Sequence, residues 1–218
     1  MSRDPSGPKM LDSAVDYWQQ RAKELGARAV ISTDHVGSVD GVTSQHRQVL
    51  LPQFAAQLPP VDANRPRVVL DLGCGTGRLT PDLAAIAGRA IGVEPVQELL
   101  QLAEPTAGVE YRLLTSVDGP LPLADGEVDA AFTCLVLGGV AGAGALAALG
   151  GELHRVLRPG GVVFLAESVS DQPAIGHWTF RSVDDYRDAM PWAQLRQVAQ
   201  FDDAGDAVSV MVGRRPTG

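Results

Sequence analysis

Val68-Val69-Leu70-Asp71-Leu72-Gly73-Cys74-Gly75-Thr76-Gly77-Arg78-Leu79-Thr80 is the stretch on which the fold turns. Its first part, Val68 to Leu72, is the near-continuous apolar run of a strand covered on both faces in a parallel sheet. Its second part is a loop with glycines at 73, 75 and 77, where a backbone without Cβ can take unusual torsions and pass close to a ligand. The spacing is G-x-G-x-G, and Arg78 stands where the dinucleotide fingerprint needs its last glycine. Asp71 sits two residues before the first glycine, at the mouth of the loop. A carboxylate there repels a pyrophosphate and suits a ligand carrying an ammonium or a sulfonium.

Outward from this stretch, further strands follow in order. Ala90-Ile91-Gly92-Val93 is a second apolar run that ends in Glu94-Pro95, an acid placed to accept from ribose hydroxyls. Val109 to Leu114 reads as a third strand. Leu121 to Asp129 then leads into a fourth strand, Ala130 to Cys134. A helix with Leu146, Leu149, Leu153 and Val156 on one face is stopped by Pro159-Gly160-Gly161, and Val162 to Glu167 follows as a fifth strand. Two alternating runs, Leu195–Phe201 and Ala207–Gly213, flank an acidic turn and read as an antiparallel hairpin.

Four motifs in this order, over residues 66 to 168, resemble the class I S-adenosylmethionine-dependent methyltransferases, in particular those acting on small molecules, natural products and quinones. The resemblance implies an α/β fold: a Rossmann-like, doubly wound, seven-stranded and mostly parallel sheet with an antiparallel last strand, plus an N-terminal helical lid. It implies S-adenosylmethionine as cofactor and S-adenosylhomocysteine as product. Asp71 and the backbone of Gly73, Cys74 and Gly75 would face the methionine half, Glu94 the ribose, and Pro95 or Val96 the adenine. Tyr17 on the first helix would approach the cofactor carboxylate, with Trp18 in the core, and Cys134 at the end of strand four lies near the cofactor. The family's adenine-binding aspartate has no aligned counterpart after strand three, where Thr115, Ser116 and Val117 stand and Asp118 comes late. Ser116 with backbone groups around Val117, or Asp118 reaching back, would take that place.

Composition narrows the partners. The chain has 218 residues, enough for one domain with a substantial core, and a net charge of −8 without a lysine-arginine cluster. A nucleic-acid substrate is therefore not expected, and no apolar run suggests a membrane span. A cytoplasmic monomer or homodimer acting on a small-molecule acceptor is expected. Residues 1–10 are expected to be disordered, and 11–218 to form one domain with residues 11–60 as lid and 66–218 as sheet core. In the lid, a helix from Asp12 or Ser13 to Leu25 and a second from Ser44 to Leu58, kinked at Pro52, are expected.

Methyl transfer from a sulfonium is an in-line displacement that depends on alignment, and oxygen or carbon acceptors usually need a proton removed. His177, in His177-Trp178-Thr179-Phe180-Arg181 past strand five, is the first candidate base, and this segment could wall a planar or partly anionic acceptor. Alternatively Trp178 and Phe180 close the core and leave His177 outside. Glu167 is either a base or a pin for the lid, and His35 could reach the pocket from an aperiodic segment. His46, opening the second helix, is expected to be exposed. No metal is expected, because Cys134-Leu135-Val136 stands where cation-dependent relatives cluster carboxylates. Small residues from Leu137 to Gly142 leave room for a bulky acceptor. Transfer to an oxygen or nitrogen of a secondary metabolite is the leading expectation. Ring C-methylation, a non-catalytic cofactor-binding module and a nicotinamide oxidoreductase are the alternatives.

Overall fold

The computed structural model describes residues 14–32, 37–60, 65–117, 119–174 and 176–218. Two helices, α1 (Ala14–Leu25) and α2 (Val39–Gln57), precede the sheet. Then follow β1 (Arg67–Leu72), α3 (Thr80–Ala87), β2 (Gly88–Glu94), α4 (Gln97–Leu100), β3 (Val109–Leu113), β4 (Val128–Cys134), α5 (Gly142–Val156) and β5 (Leu157–Ser168). The chain closes with α6 (Val183–Ala189), β6 (Arg196–Asp203) and β7 (Asp206–Arg214). The sheet order is β3-β2-β1-β4-β5-β7-β6. Strands β1 to β5 pair in parallel, and β7 runs antiparallel to both β5 and β6.

The continuous apolar strands are explained by helices on both faces. Along β1, Val68, Leu70 and Leu72 pack with Leu146, Leu153 and Val156 of α5 and Tyr186 of α6. Val69, on the opposite face, packs with Leu50 and Phe54 of α2 and Leu83 of α3. A strand clad on both sides has no polar face, so the period-two alternation of a half-exposed strand is absent. Reversal at β1 between β2 and β4 leaves a crevice at the carboxyl ends of the strands, the usual ligand site of such sheets.

The expected two-helix lid divides in the structure. α1 lies across the carboxyl end of the sheet, whereas α2 is locked into the core. Phe54 of α2 meets Phe132 and Phe164 edge-on at 5.3 and 5.4 Å, and those two rings stack at 5.4 Å. The second helix starts five residues earlier than the apolar pattern indicated, because Ser38 caps it through a 3.1 Å hydrogen bond from the Gly41 amide, and it continues through Pro52. The short α4 was not legible in the periodicity. Its Leu99 packs with Ala22, Ala29 and Val96 under α1. The expected disorder of residues 1–10 and the helix-capping Asp12 or Ser13 lie outside the described residues.

Candidate cofactor and acceptor pocket

The glycine loop leaves β1 and is tied at once to β2. The Gly73 amide donates to the Val93 carbonyl at 2.7 Å and the Cys74 amide to the same oxygen at 3.2 Å. Gly73 is left-handed (φ 69°), and a Cβ there would run into Val136. Gly75 is also left-handed (φ 58°), and its Cβ would stand 2.8 Å from the Val30 side chain. Glycine is therefore required here twice over, for torsion and for space. The loop floors a cavity of about 360 Å³, walled by Ala14, Val15 and Trp18 of α1, by Val136 and Gly139 to Ala141 after β4, and by Trp178.

Two buried carboxylates open into this cavity. Asp71 accepts from Thr80 Oγ1 at 2.6 Å. Its pKa is pushed up to about 6 by burial, against the Thr80 hydrogen bond and the Arg78 charge, which lower it. Glu94 ends β2 and accepts from the Gly75 amide at 2.9 Å and the Val96 amide at 3.1 Å. Burial pushes it up to about 7, although both amides favour the ionised form. Neither acid is ion-paired to a cation among the described residues. A ligand that brings an ammonium or sulfonium and a pair of hydroxyls fits that arrangement, since it would meet both acids in their charged, hydrogen-bond-accepting form.

Of the residues selected from the sequence, Asp71, Gly73, Cys74, Gly75, Glu94, Pro95, Val117 and Cys134 line the cavity. Tyr17, Ser116, His177 and Glu167 do not. The order on α1 is reversed: Trp18 faces the cavity, and Tyr17 turns outward to stack on His177, with ring centroids 3.4 Å apart and planes 11° apart. His177 also meets Trp18 edge-on at 5.5 Å, and burial with the nearby Arg21 charge lowers its pKa, so its ring is neutral packing against α1. Ser116 is exposed, and its carbonyl accepts from the Gly119 amide at 3.2 Å. His35 and Asp118 lie outside the described residues.

Glu167 does not line the cavity, and it pins the loop after β4 rather than the lid. It is fully buried and accepts from Thr133 Oγ1 at 2.6 Å and from the Val136 and Leu137 amides, each at 3.0 Å. Burial pushes it up to about 7, with Thr133 and the two amides pulling the other way. Arg181, expected beside the acceptor, is also buried and clamps the same loop: Nη1 donates to the Leu137 carbonyl at 2.6 Å and Nη2 to that of Val140. The loop after β4 is thus held from both its amides and its carbonyls. Its first residue, Leu135, is left-handed (φ 59°), a conformation uncommon for a bulky residue, and it lines the cavity. Cys134 is pushed up to about 12 and Cys74 well above its ordinary value, both by burial, so neither thiol is an available nucleophile at neutral pH.

Of the segment read as a possible pocket wall, Trp178 alone lines the cavity, closing it against Gly138, where any Cβ would strike its ring. One site feature escaped the sequence. His46, expected to be exposed, is buried beneath the pocket with its Nε2 2.8 Å from Asp203 Oδ1. Its partner lies 157 residues away, at the hairpin turn, and no local pattern could announce it.

A doubly wound sheet with buried acids at the ends of β1 and β2, around a glycine loop, defines a protein of the nucleotide-cofactor-binding α/β class. The methyltransferase domain family matches residues 70–165, from β1 into β5. Phosphoethanolamine N-methyltransferase 1 of Triticum aestivum is 27% identical over 161 residues, 72% of this chain and 30% of that protein. Malonyl-[acyl-carrier protein] O-methyltransferase of Yersinia pestis is 30% identical over 140 residues, 62% of this chain and 50% of that protein. The chain thus spans half or less of the length of these relatives. The structure of DhpI in complex with S-adenosylhomocysteine superposes with a TM-score of 0.68 at 18% identity, over 95% of this chain and 98% of that one. Residues 70–165 thus match a methyltransferase domain, and the fold is that of the class I S-adenosylmethionine-dependent methyltransferases, whose cofactor is S-adenosylmethionine.

Proposed function

We propose that the protein transfers a methyl group from S-adenosylmethionine to an oxygen or nitrogen of a small-molecule acceptor. The cofactor supplies an electrophilic methyl on a sulfonium. Asp71 and the backbone of Gly73, Cys74 and Gly75 hold its amino-acid end, Glu94 its ribose, and Pro95, Val117 and Leu149 flank its adenine. Leu114 and Leu99 extend that apolar wall. α1 and Trp178 close over the pocket and exclude water, and the clamped loop after β4 fixes the approach of the acceptor. Positioning of this kind can supply most of the acceleration of a displacement.

The observation that carries the reading is the polar inventory of the pocket. Among the described residues its titratable side chains are Asp71, Glu94, Arg78 and two protonated thiols. The rest of the lining is aliphatic or glycine apart from the indoles of Trp18 and Trp178, which can donate a hydrogen bond but cannot act as a base. Such a site suits an acceptor that arrives with its own lone pair, an amine or an already ionised oxygen, rather than a ring carbon that must first lose a proton. Phosphoethanolamine and malonyl-carrier relatives, named for nitrogen and oxygen transfer, support the same preference. Small size of the acceptor is supported by the lid of α1 over the pocket and by a net charge of −8.

The test is a panel of amines, phenols, carboxylic acids and hydroquinones, with S-adenosylhomocysteine release and product mass as readouts. Methylation at nitrogen or oxygen is expected. Methylation confined to a ring carbon would overturn the reading in favour of a quinone-type enzyme. Cofactor binding without turnover on any acceptor would favour the non-catalytic module.

A further inference from the structure

Among the described residues one cation lines the pocket, Arg78, and its charge acts on Asp71 without forming an ion pair with it. Arg78 is half-buried; its Nη1 donates to His46 Nδ1 at 2.9 Å and its Nη2 to Cys134 Sγ at 3.8 Å. No carboxylate of the described residues forms an ion pair with it. Both of its partners are neutral acceptors. A ring nitrogen that accepts from a guanidinium carries no proton, so the His46 proton sits on Nε2, 2.8 Å from Asp203 Oδ1. The Cys134 sulfur is a weak acceptor whose thiol stays protonated.

The support behind Arg78 is rigid. His46 on α2 and Asp203 at the end of β6 are both buried, and Phe201 packs edge-on against the His46 ring at 6.0 Å. Three elements distant in sequence converge to hold one guanidinium at the cavity wall. A guanidinium has five N–H donors in a planar fork, matched to the two oxygens of a carboxylate or phosphoryl group. A half-buried guanidinium outside ion-pair distance of every carboxylate of the described residues keeps donors free for a ligand anion.

We propose that Arg78, held by His46 and Asp203, seats an acidic group of the methyl acceptor, a carboxylate or phosphoryl. The inference rests on the small-molecule reading above and narrows its substrate class. The carboxylate of the cofactor is the other source of the same chemistry. Position favours the acceptor: Arg78 touches Cys134 at the end of β4, across β1 from Glu94 at the end of β2.

The experiment is calorimetric titration of the full chain, saturated with S-adenosylhomocysteine, with benzoate and with its uncharged counterpart benzamide. The native complex is expected to bind benzoate at least about ten-fold more tightly than benzamide. Arg78→Gln should abolish that preference and Arg78→Lys retain part of it, each variant being titrated at an S-adenosylhomocysteine concentration that saturates it. Absence of the preference in the native complex overturns the proposal, and that measurement needs no variant to fold. It is equally overturned if Arg78→Gln weakens S-adenosylhomocysteine but not its decarboxylated analogue, because the guanidinium then serves the cofactor. Failure here with amines and phenols still methylated removes the acid seat alone. An intact benzoate preference with ring-carbon methylation only removes the oxygen-or-nitrogen reading and leaves the seat standing.

Discussion

The two ends of the sheet treat carboxylates in opposite ways. At the amino end, Asp129 near the start of β4 accepts two hydrogen bonds from Arg65, at 2.7 and 2.8 Å, one from Arg158 at 2.8 Å and one from the Val68 amide at 2.9 Å. Burial pulls its pKa upward, but the Arg65 hydrogen bonds, the Val68 amide and the two arginine charges outweigh it, and the net shift is down. At the carboxyl end, Asp71, Glu94 and Glu167 are equally hidden from solvent but more closely surrounded by protein, and all are pushed up, to about 6, 7 and 7. Supplied with its own cations, an acid is part of the scaffold. Buried acids without a salt-bridged cation, with Arg78 and Arg181 acting on Asp71 and Glu167 only from outside ion-pair distance, mark either a ligand site or a loop anchor. Among the three, cavity exposure decides which: Asp71 and Glu94 line the pocket, while Glu167 spends its oxygens on Thr133 and the loop after β4.

The largest effect that sharpens this contrast is on cofactor affinity. Glu94→Ala removes the acceptor assigned to the ribose and leaves the Gly75 and Val96 amides unpaired. S-adenosylhomocysteine binding should weaken by roughly 1–3 kcal/mol, about five- to 150-fold, measured by calorimetry. Affinity unchanged in this variant would place the ribose elsewhere.

Next comes the response to pH, which the two ends should show in different windows. A carboxyl whose folded pKa lies above its unfolded value binds protons on folding, so its presence lowers stability as pH rises. Between pH 8 and 5.5, acidification should therefore stabilise the ligand-free protein, by on the order of 1–2 kcal/mol from each of Glu94 and Glu167 and less from Asp71. Asp129 adds almost no slope in this window. The stabilisation from its depressed folded pKa is fully present above the ordinary carboxylate value of about 4 and is lost only as pH falls from there through the folded pKa. Cofactor affinity should move the other way and fall as pH drops through 7 to 6, where the acids that receive the ammonium and hydroxyls become protonated. Parallel melting curves and titrations would show the opposite slopes. A melting temperature that is flat or falls toward pH 5.5 would contradict the unpaired character of the carboxyl end.

The strands and the glycine loop were legible because a sheet clad on both faces writes itself as unbroken apolar runs punctuated by glycine and acid. Asp71, Glu94 and Cys134 follow directly, since a residue at the end of such a strand reaches the crevice whatever surrounds it. What stayed hidden depends on side-chain direction or on distant partners. Tyr17 and Trp18 are adjacent, about 100° apart on a helix, and only the docking of α1 decides which faces inward. His46 and Asp203, like Arg181 and the carbonyls of Leu137 and Val140, meet through the fold alone. Glu167 was equally open, since a strand-end acid serves a pocket or a loop according to which amides approach it.

Breaking the amino end should affect stability and spare binding. Asp129→Ala deprives Arg158 and the Val68 amide of their shared acceptor. The arginines are partly exposed and solvent screens them, so a loss of only about 1–2 kcal/mol is expected from denaturant unfolding. S-adenosylhomocysteine affinity should stay within about two-fold of native. A large loss of affinity would mean that the two ends are mechanically coupled through β1 and β4.

The smallest effect tests the residue that the sequence favoured as the base. His177 packs face to face on Tyr17 and edge-on against Trp18, on the outer side of α1. An aromatic pair of this kind contributes roughly 0.5–1.5 kcal/mol beyond its buried area. His177→Ala should lower the melting temperature slightly and loosen α1 over the pocket. It should therefore raise KM modestly while leaving the pH profile of kcat in place. His177→Phe restores a flat ring without a titratable nitrogen and should recover the native melting temperature and KM. If the phenylalanine variant restored stability and yet lost turnover steeply, with a basic limb removed from the pH profile, the imidazole would have to reach the acceptor by a rearrangement of α1. Recovery of both separates packing from proton transfer, and leaves the alignment of acceptor and methyl as the source of the rate.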